Sequence, residues 1–479
     1  MTESLLLAGV GAAAGLVVAH WVINAVVALA PEGVPRLDTI AIDGRVLAFT
    51  AAAAIATGLA FGALPAFSFA SPHRAMGGST RPTAHGDAAR STLLVIEVAL
   101  ALMLIVGTGL LLRSFATLTR QPLGFDADNL VTANITLTAD RYSDIGARTR
   151  LFRDFEAAAR ALPGVRDVAL TTDLPIGGTP IFHNLAFEGR EMAPGTEPEV
   201  YYRGVNPTYF HALGIPLLKG RPFTADDRHN SPAVAIVNDA FVRAYYPGEE
   251  ALGRRIRWVS GDGEWITIVG VVADVRGLSL DQSEVPAVHV PYTQERMPWR
   301  RWVDVAVRTD GEAATTIAAL RRELSRLDRQ VPLTKARTMN EVLAQSVSDR
   351  RFNLLLLGGF AALALLLAAA GTYGVMACIV AQRTREIGVR MALGATSRHI
   401  ARVVTGRGML LAAAGVALGT FASFWATRLL ADFLFGISPT DVRTFAAAAL
   451  VLLAAAFCAS YVPARRAARI DPLIALRSE

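Results

Sequence analysis

Six stretches of this chain are long and apolar enough to cross a lipid bilayer, and that feature removes most folds from consideration. A span needs about 20 mostly apolar residues, because inside hydrocarbon every backbone N–H and C=O has to be satisfied within its own helix. The qualifying stretches run from Leu5 to Leu29, Val46 to Phe67, Thr92 to Leu112, Asn353 to Val380, Met409 to Leu430 and Thr444 to Tyr461. With 52% hydrophobic and only 18% charged residues, the 479-residue chain is too oily for an ordinary soluble domain of its length. It reads as an α-helical membrane protein. Between the third and fourth spans lies a polar segment of about 240 residues, far too long for a simple loop.

Arginine placement orients the spans, since short cytoplasmic loops collect Lys and Arg. Arg74, Arg81 and Arg90 follow the second span, six arginines lie between Arg383 and Arg407, and Arg465, Arg466, Arg469 and Arg477 are in the tail. The stretch from Ala431 to Val442 has no Lys or Arg, and after the first span Arg36 and Arg45 are balanced by Glu32, Asp38 and Asp43. Both termini are therefore expected inside, with residues 113–352 outside, in a multi-pass protein of the inner membrane. The first span has no small-residue cleavage motif and reads as an anchor. The net charge of +6 is accounted for by the inner loops, so nucleic acid is not an expected partner. The two cysteines, Cys378 and Cys458, fall in apolar spans, which leaves the outer segment to fold without a disulfide.

The chain also resembles itself. A shift of 404 positions sets Leu6-Leu7 on Leu410-Leu411, Gly11 and Gly15 on Gly415 and Gly419, Trp21 on Trp425, and Pro35 on Pro439. After a six-residue gap Arg45 meets Arg443 and Pro65-Ala66 meets Pro463-Ala464, and "SPHRAM" then lines up with "DPLIAL". Apolar helices resemble one another by chance, but a tryptophan, paired glycines and prolines in one register favour duplication. The expected organisation is a truncated first unit of two spans (1–79), a cytoplasmic linker (80–91), a span (92–112), the outer domain (113–352) and a three-span unit (353–479).

In the outer segment the periodicity changes. "LVTANITL" alternates like a strand, "RTRLFRDFEAAARALPGV" has an apolar face at helical spacing, and "VRDVALTT" alternates again; "WVDVAVRT", "AATTIAALRRELSRLD" and "QVPLTKART" repeat the pattern later. Two βαβ units predict an α+β domain with a ferredoxin-like layer, and the Gly- and Pro-punctuated short strands over about 181–299 predict an inserted, mostly-β lobe. Chemistry is sparse. There is no G-x-x-x-x-G-K-[ST], H-E-x-x-H or G-x-S-x-G, and His183, His211, His229 and His289 lack ligand spacing. Asp226-Asp227 and Glu249-Glu250 read as solvated turns rather than catalytic pairs. Neither catalytic residues nor a metal or cofactor is expected.

Within the spans, Gly11 with Gly15 and Gly415 with Gly419 are G-x-x-x-G pairs that let helix backbones approach closely, within the chain or against a partner. Glu97 is the one acid well inside a span. Such a group costs about 2.5–3.5 kcal/mol at the bilayer centre, less near the edge where it lies, and a packing hydrogen bond is its expected use. The arginine-rich connection after the fourth span reads as a helix from Arg383 to Leu393, with Gly394 suited to a left-handed end and Thr396 or Ser397 capping the next helix. Ile387 and Met391, four apart, share a face. That suits an apolar knob for a cytoplasmic partner; a helix lying on anionic membrane lipid is the alternative.

"RTREIGVRMALGAT", the tail "PARRAARIDPLIAL" and the order of one span, an outer domain and three spans resemble the FtsX/MacB-type ABC transporter permeases. "AIVNDAFVRAYYPGEEALGRRIRW" is similar to the outer-domain signature of the MacB-like members, and the duplication resembles the orphan permeases encoded apart from an ATPase. The resemblance implies a dimeric or paired permease driven by a separate cytoplasmic ATPase subunit; a periplasmic adaptor is a partner of the transport reading alone. It also implies porter and inserted lobes outside, and a coupling helix at Arg385, Glu386, Ile387, Gly388, Arg390, Met391 and Gly394. Two function classes follow: export or extraction of a substrate, or mechanical regulation of an envelope hydrolase or signalling partner.

Overall fold

The computed structural model describes residues 2–29, 42–69, 84–138, 140–193, 195–259, 263–282, 284–294, 301–393 and 395–468. Expectations that fall elsewhere, including the "SPHRAM" and "DPLIAL" stretches, Gly394 and the linker up to residue 83, lie outside the described residues.

The chain forms two compact units: residues 1–117 with 349–479, and residues 118–348. The helices are α1 (Thr2–Leu29), α2 (Gly44–Phe69), α3 (Ala84–Thr119), α4 (Ile145–Arg160), α5 (Tyr209–Ala212), α6 (Asp239–Tyr245), α7 (Ala313–Leu327), α8 (Met339–Ser346), α9 (Ser348–Gln382), α10 (Thr384–Ala392), α11 (Ser397–Ala426) and α12 (Val442–Ala467). The strands are β1 (Leu130–Thr136), β2 (Val165–Thr171), β3 (Ile181–Phe187), β4 (Glu199–Val205), β5 (Leu217–Gly220), β6 (Val234–Asn238), β7 (Arg255–Trp258), β8 (Ile266–Val272), β9 (Ala287–Pro291), β10 (Trp302–Thr309) and β11 (Leu333–Thr338).

In the helical unit, stretches of α1, α3, α9, α11 and α12 are long and apolar enough to cross a membrane; the apolar stretch described in α2, Gly44–Ala56, is shorter. Leu94, Val98, Ala101, Leu102, Val106 and Leu110 of α3 are buried, against Ala368 of α9 and Ala448 and Leu452 of α12. Asp441 starts α12 by accepting the Thr444 N–H at 2.9 Å, and Arg113 of α3 ion-pairs with it.

The second unit is built on one eleven-stranded sheet. At one end the order is β11-β1-β10-β2, each pairing antiparallel. Alternation puts Val131, Ala133 and Ile135 of β1 on the same face as Val303, Val305 and Val307 of β10, and α4 and α7 cover that face with Leu151, Phe155, Leu320 and Leu324. Local signals start the helices: the Asp144 carboxylate accepts the Ala147 N–H at 2.8 Å, and Thr338 with Glu341 forms a capping box on α8. A single residue pair, Thr171 with Val205, links β2 to β4. Beyond it β4, β3, β7, β8, β6 and β9 pair in sequence, and β9 pairs parallel to β4, so these six strands close on themselves. Their enclosed core includes Leu185, Phe187, Tyr202, Val237, Ile256, Ile268 and Val288.

Candidate functional site

The sequence-derived site centres on α10, and its anchoring is visible residue by residue. Ile387 is 7% exposed and packs with Ile400 of α11 and Ala467 of α12, with Val380, Met391 and Ala395 half-buried around them. The pair Ile387 and Met391 does share a face, but that face turns inward. A knob made of these two side chains is therefore incorrect: burial against α11 and α12 removes Ile387 from any external partner. The outward side of the helix carries Val389 (42% exposed) and Leu393 (83% exposed), while Glu386 and Arg390, an i,i+4 ion pair at 2.5 Å, flank the buried face. The helix ends with the Ala395 N–H reaching the Arg390 carbonyl at 2.9 Å, the six-to-one bond of a Schellman ending. Thr396 caps α11 by accepting the His399 N–H. Gly388 lies within α10, while the Arg385 side chain and Gly394 lie outside the described residues.

The glycine pairs divide. At Gly415 an added Cβ would stand 2.6 Å from the Val98 side chain, and at Gly419 2.8 Å from the Ala99 carbonyl oxygen, so both let α11 touch α3 closely. At Gly11 and Gly15 nothing lies within 4 Å of such a Cβ; no described part of the chain packs on that face of α1. Glu97 places its carboxylate against Gly371 of α9, an approach that a side chain there would block. No hydrogen bond from Glu97 to another of the described residues is seen.

In the outer unit Asp227 alone departs from the acidic turns expected there. Asp227 is not the solvated turn residue expected: Arg221 forks onto it at 2.8 and 2.9 Å, and it accepts the Thr224 N–H at 2.8 Å. Asp226, Glu249 and Glu250 are exposed, as solvated turns require, with Arg254 3.5 Å from Glu249 and Lys219 3.4 Å from Glu250. Among the described residues no group of His, Cys, Asp and Glu has metal-holding geometry. Sequence reasoning missed a buried polar cluster between β4 and β9: Arg203 donates to the Tyr201 hydroxyl at 3.0 Å, Tyr201 donates to Asp173, and His289 lies 3.3 Å from the Ile236 carbonyl. Burial, with the Arg203 guanidinium beside it, holds the His289 imidazole down to about 3. Its members are scattered over more than a hundred positions with no shared spacing, so only the fold brings them together.

Apolar helices of spanning length, a short amphipathic helix clamped between two of them, and a large α+β unit describe a membrane protein with a sizeable domain outside its spans. The family model of the MacB-like periplasmic core domain matches residues 91–327, and that of the FtsX-like permease C-terminal region matches residues 358–472. The chain belongs to the FtsX/MacB-type ABC transporter permeases. It is 31% identical over 326 residues to the pyoverdine export ATP-binding/permease protein PvdT of Pseudomonas putida, covering 65% of this chain and 48% of that protein. It is 27% identical over 299 residues to the macrolide export ATP-binding/permease protein MacB of an Azoarcus species, covering 60% and 44%. The chain thus spans about half the length of the curated relatives it matches. The periplasmic region of MacB from Actinobacillus actinomycetemcomitans aligns over 47% of this chain and 95% of that structure, at 16% identity and a TM-score of 0.33. The protein is an ABC-type transporter permease component of the inner membrane with a periplasmic domain.

Proposed function

We propose that this chain is the permease subunit of an ABC-type transporter, and that it passes the work of ATP hydrolysis in a separate cytoplasmic ATPase to its periplasmic domain for export or extraction of a substrate. The observation that carries this reading is α10. Ile387 clamps it to α11 and α12, and Val389 and Leu393 face outward as an apolar patch, with the Glu386–Arg390 ion pair flanking the buried face. A rigidly held helix transmits displacement, whereas a loosely tethered one absorbs it. Val389 and Leu393 are the side chains that meet the ATPase, and Arg385, Gly388 and Gly394 belong to the same coupling element.

The same reading takes α2 as a sixth span and both termini as cytoplasmic, supported by the arginine distribution. It takes the strand order β11-β1-β10-β2 under α4 and α7 as a ferredoxin-like porter lobe, and the closed six-strand ring as the inserted lobe. The open face at Gly11 and Gly15 is offered to a paired permease unit or second copy, and the periplasmic domain to an adaptor. The test is reconstitution with the cognate ATPase in proteoliposomes. Val389→Ser/Leu393→Ser is expected to abolish both stimulation of ATP hydrolysis by the permease and co-purification of the two subunits.

A further inference from the structure

The groove that α10 shares with α9 and α11 is apolar along its length and basic at its rim. Val380 of α9 and Val403 and Val404 of α11 line it above a floor of the buried Ile379, Ile387 and Ile400. Arg383, Arg390 and Arg407 line the same groove, with Glu386 as the acid among them. Glu386 holds Arg390 at 2.5 Å, so those two charges cancel locally. Arg383 and Arg407 remain, and neither has a carboxylate partner among the described residues. Two guanidinium groups beside an apolar slot match a ligand with an anionic head and an apolar tail. An inorganic anion leaves the apolar lining uncovered, and a neutral hydrocarbon leaves both charges unmatched. We propose that this groove binds an anionic phospholipid of the cytoplasmic leaflet, with the phosphate on Arg383 and Arg407 and an acyl chain along Val380, Val403 and Val404. The proposal rests on the cytoplasmic placement of α10 given above and requires no ATPase.

The experiment uses the full chain, purified in neutral detergent without any ATPase, and counts bound lipid by native mass spectrometry during titration with phosphatidylglycerol or phosphatidylcholine. Wild type is expected to bind one phosphatidylglycerol about tenfold or more tightly than phosphatidylcholine, as two arginine contacts at about 1 kcal/mol each require. Arg383→Gln/Arg407→Gln is expected to lose that preference. Arg398→Gln/Arg402→Gln, which removes two exposed α11 arginines outside the groove, is expected to keep it. Equal binding of the two lipids by wild type overturns the proposal, as does equal loss in both double variants, which means diffuse basic attraction. Displacement of the lipid by millimolar inorganic phosphate also overturns it, because the site then reads a free anion. Since no ATPase is present, a negative result leaves the coupling role of α10 standing, and loss of coupling in α10 variants leaves the lipid result standing.

Discussion

A single isoleucine decides which way α10 faces. Heptad-like spacing puts Ile387 and Met391 on one side of the helix, but spacing within nine residues cannot say whether that side meets the protein or a partner. Ile400 and Ala467, which settle it, lie 13 and 80 positions further along the chain. Truncating a buried isoleucine costs about 2–5 kcal/mol in a packed core. Ile387→Ala is therefore expected to loosen α10, so that trypsin cuts at Arg383 and Arg390 faster in inside-out vesicles than it does in wild type; unchanged cleavage would show that other contacts hold the helix. His289 gives a pH prediction of definite sign. Its folded value of about 3 lies below the ordinary 6.5, so folding excludes a proton across that window. Stability is full above pH 6.5 and falls as the pH drops, at up to about 1.4 kcal/mol per pH unit. The melting temperature of the outer segment is expected to fall between pH 6.5 and 5, and the fall should be shallower in His289→Gln.

At the scale of elements, the two glycine pairs look alike in sequence and differ in use. Gly415 and Gly419 seat α11 on α3, where the nearest atoms include the Ala99 backbone, which cannot rotate away. Overpacking costs about 1–3 kcal/mol even where neighbours yield. Gly419→Leu is expected to reduce the yield of folded, monodisperse protein, whereas Gly11→Leu should leave the yield of the chain purified alone unchanged. Equal losses would mean that α1 has an intrachain neighbour on that face. The strands and helices of the two βαβ units were legible because each carries its own period: Trp302–Thr309 alternates throughout, and α4 has its capping Asp144 directly before it. Closure of the inserted strands was not legible, because the parallel pairing of β4 with β9 joins residues more than 80 positions apart. Nor was the single Thr171–Val205 link, since one residue pair leaves no periodic trace.

For the whole molecule, length and hydropathy dictate the membrane class directly, because lipid admits few alternatives to a helix. Orientation comes from charge and is open to a labelling test in a chain with Cys378 and Cys458 replaced. A cysteine at Ser397 is expected to be shielded from an impermeant thiol reagent in intact cells, while cysteines at Ser231 and Ser438 should react; labelling at position 397 from outside would reverse the topology. The segment Leu118–Ser348, compact by itself with two apolar cores, is expected to fold alone and unfold cooperatively without a disulfide.

Transmission through α10 is the claim on which the functional reading depends, and permease-dependent ATP hydrolysis in proteoliposomes measures it most directly. With the cognate ATPase present, Val389→Ser/Leu393→Ser retains every arginine and the buried Ile387 contact, so insertion and packing of α10 should survive. The account predicts that hydrolysis then falls to the rate of the ATPase alone and that the two subunits no longer co-purify. Wild-type stimulation and wild-type co-purification by that variant would contradict it.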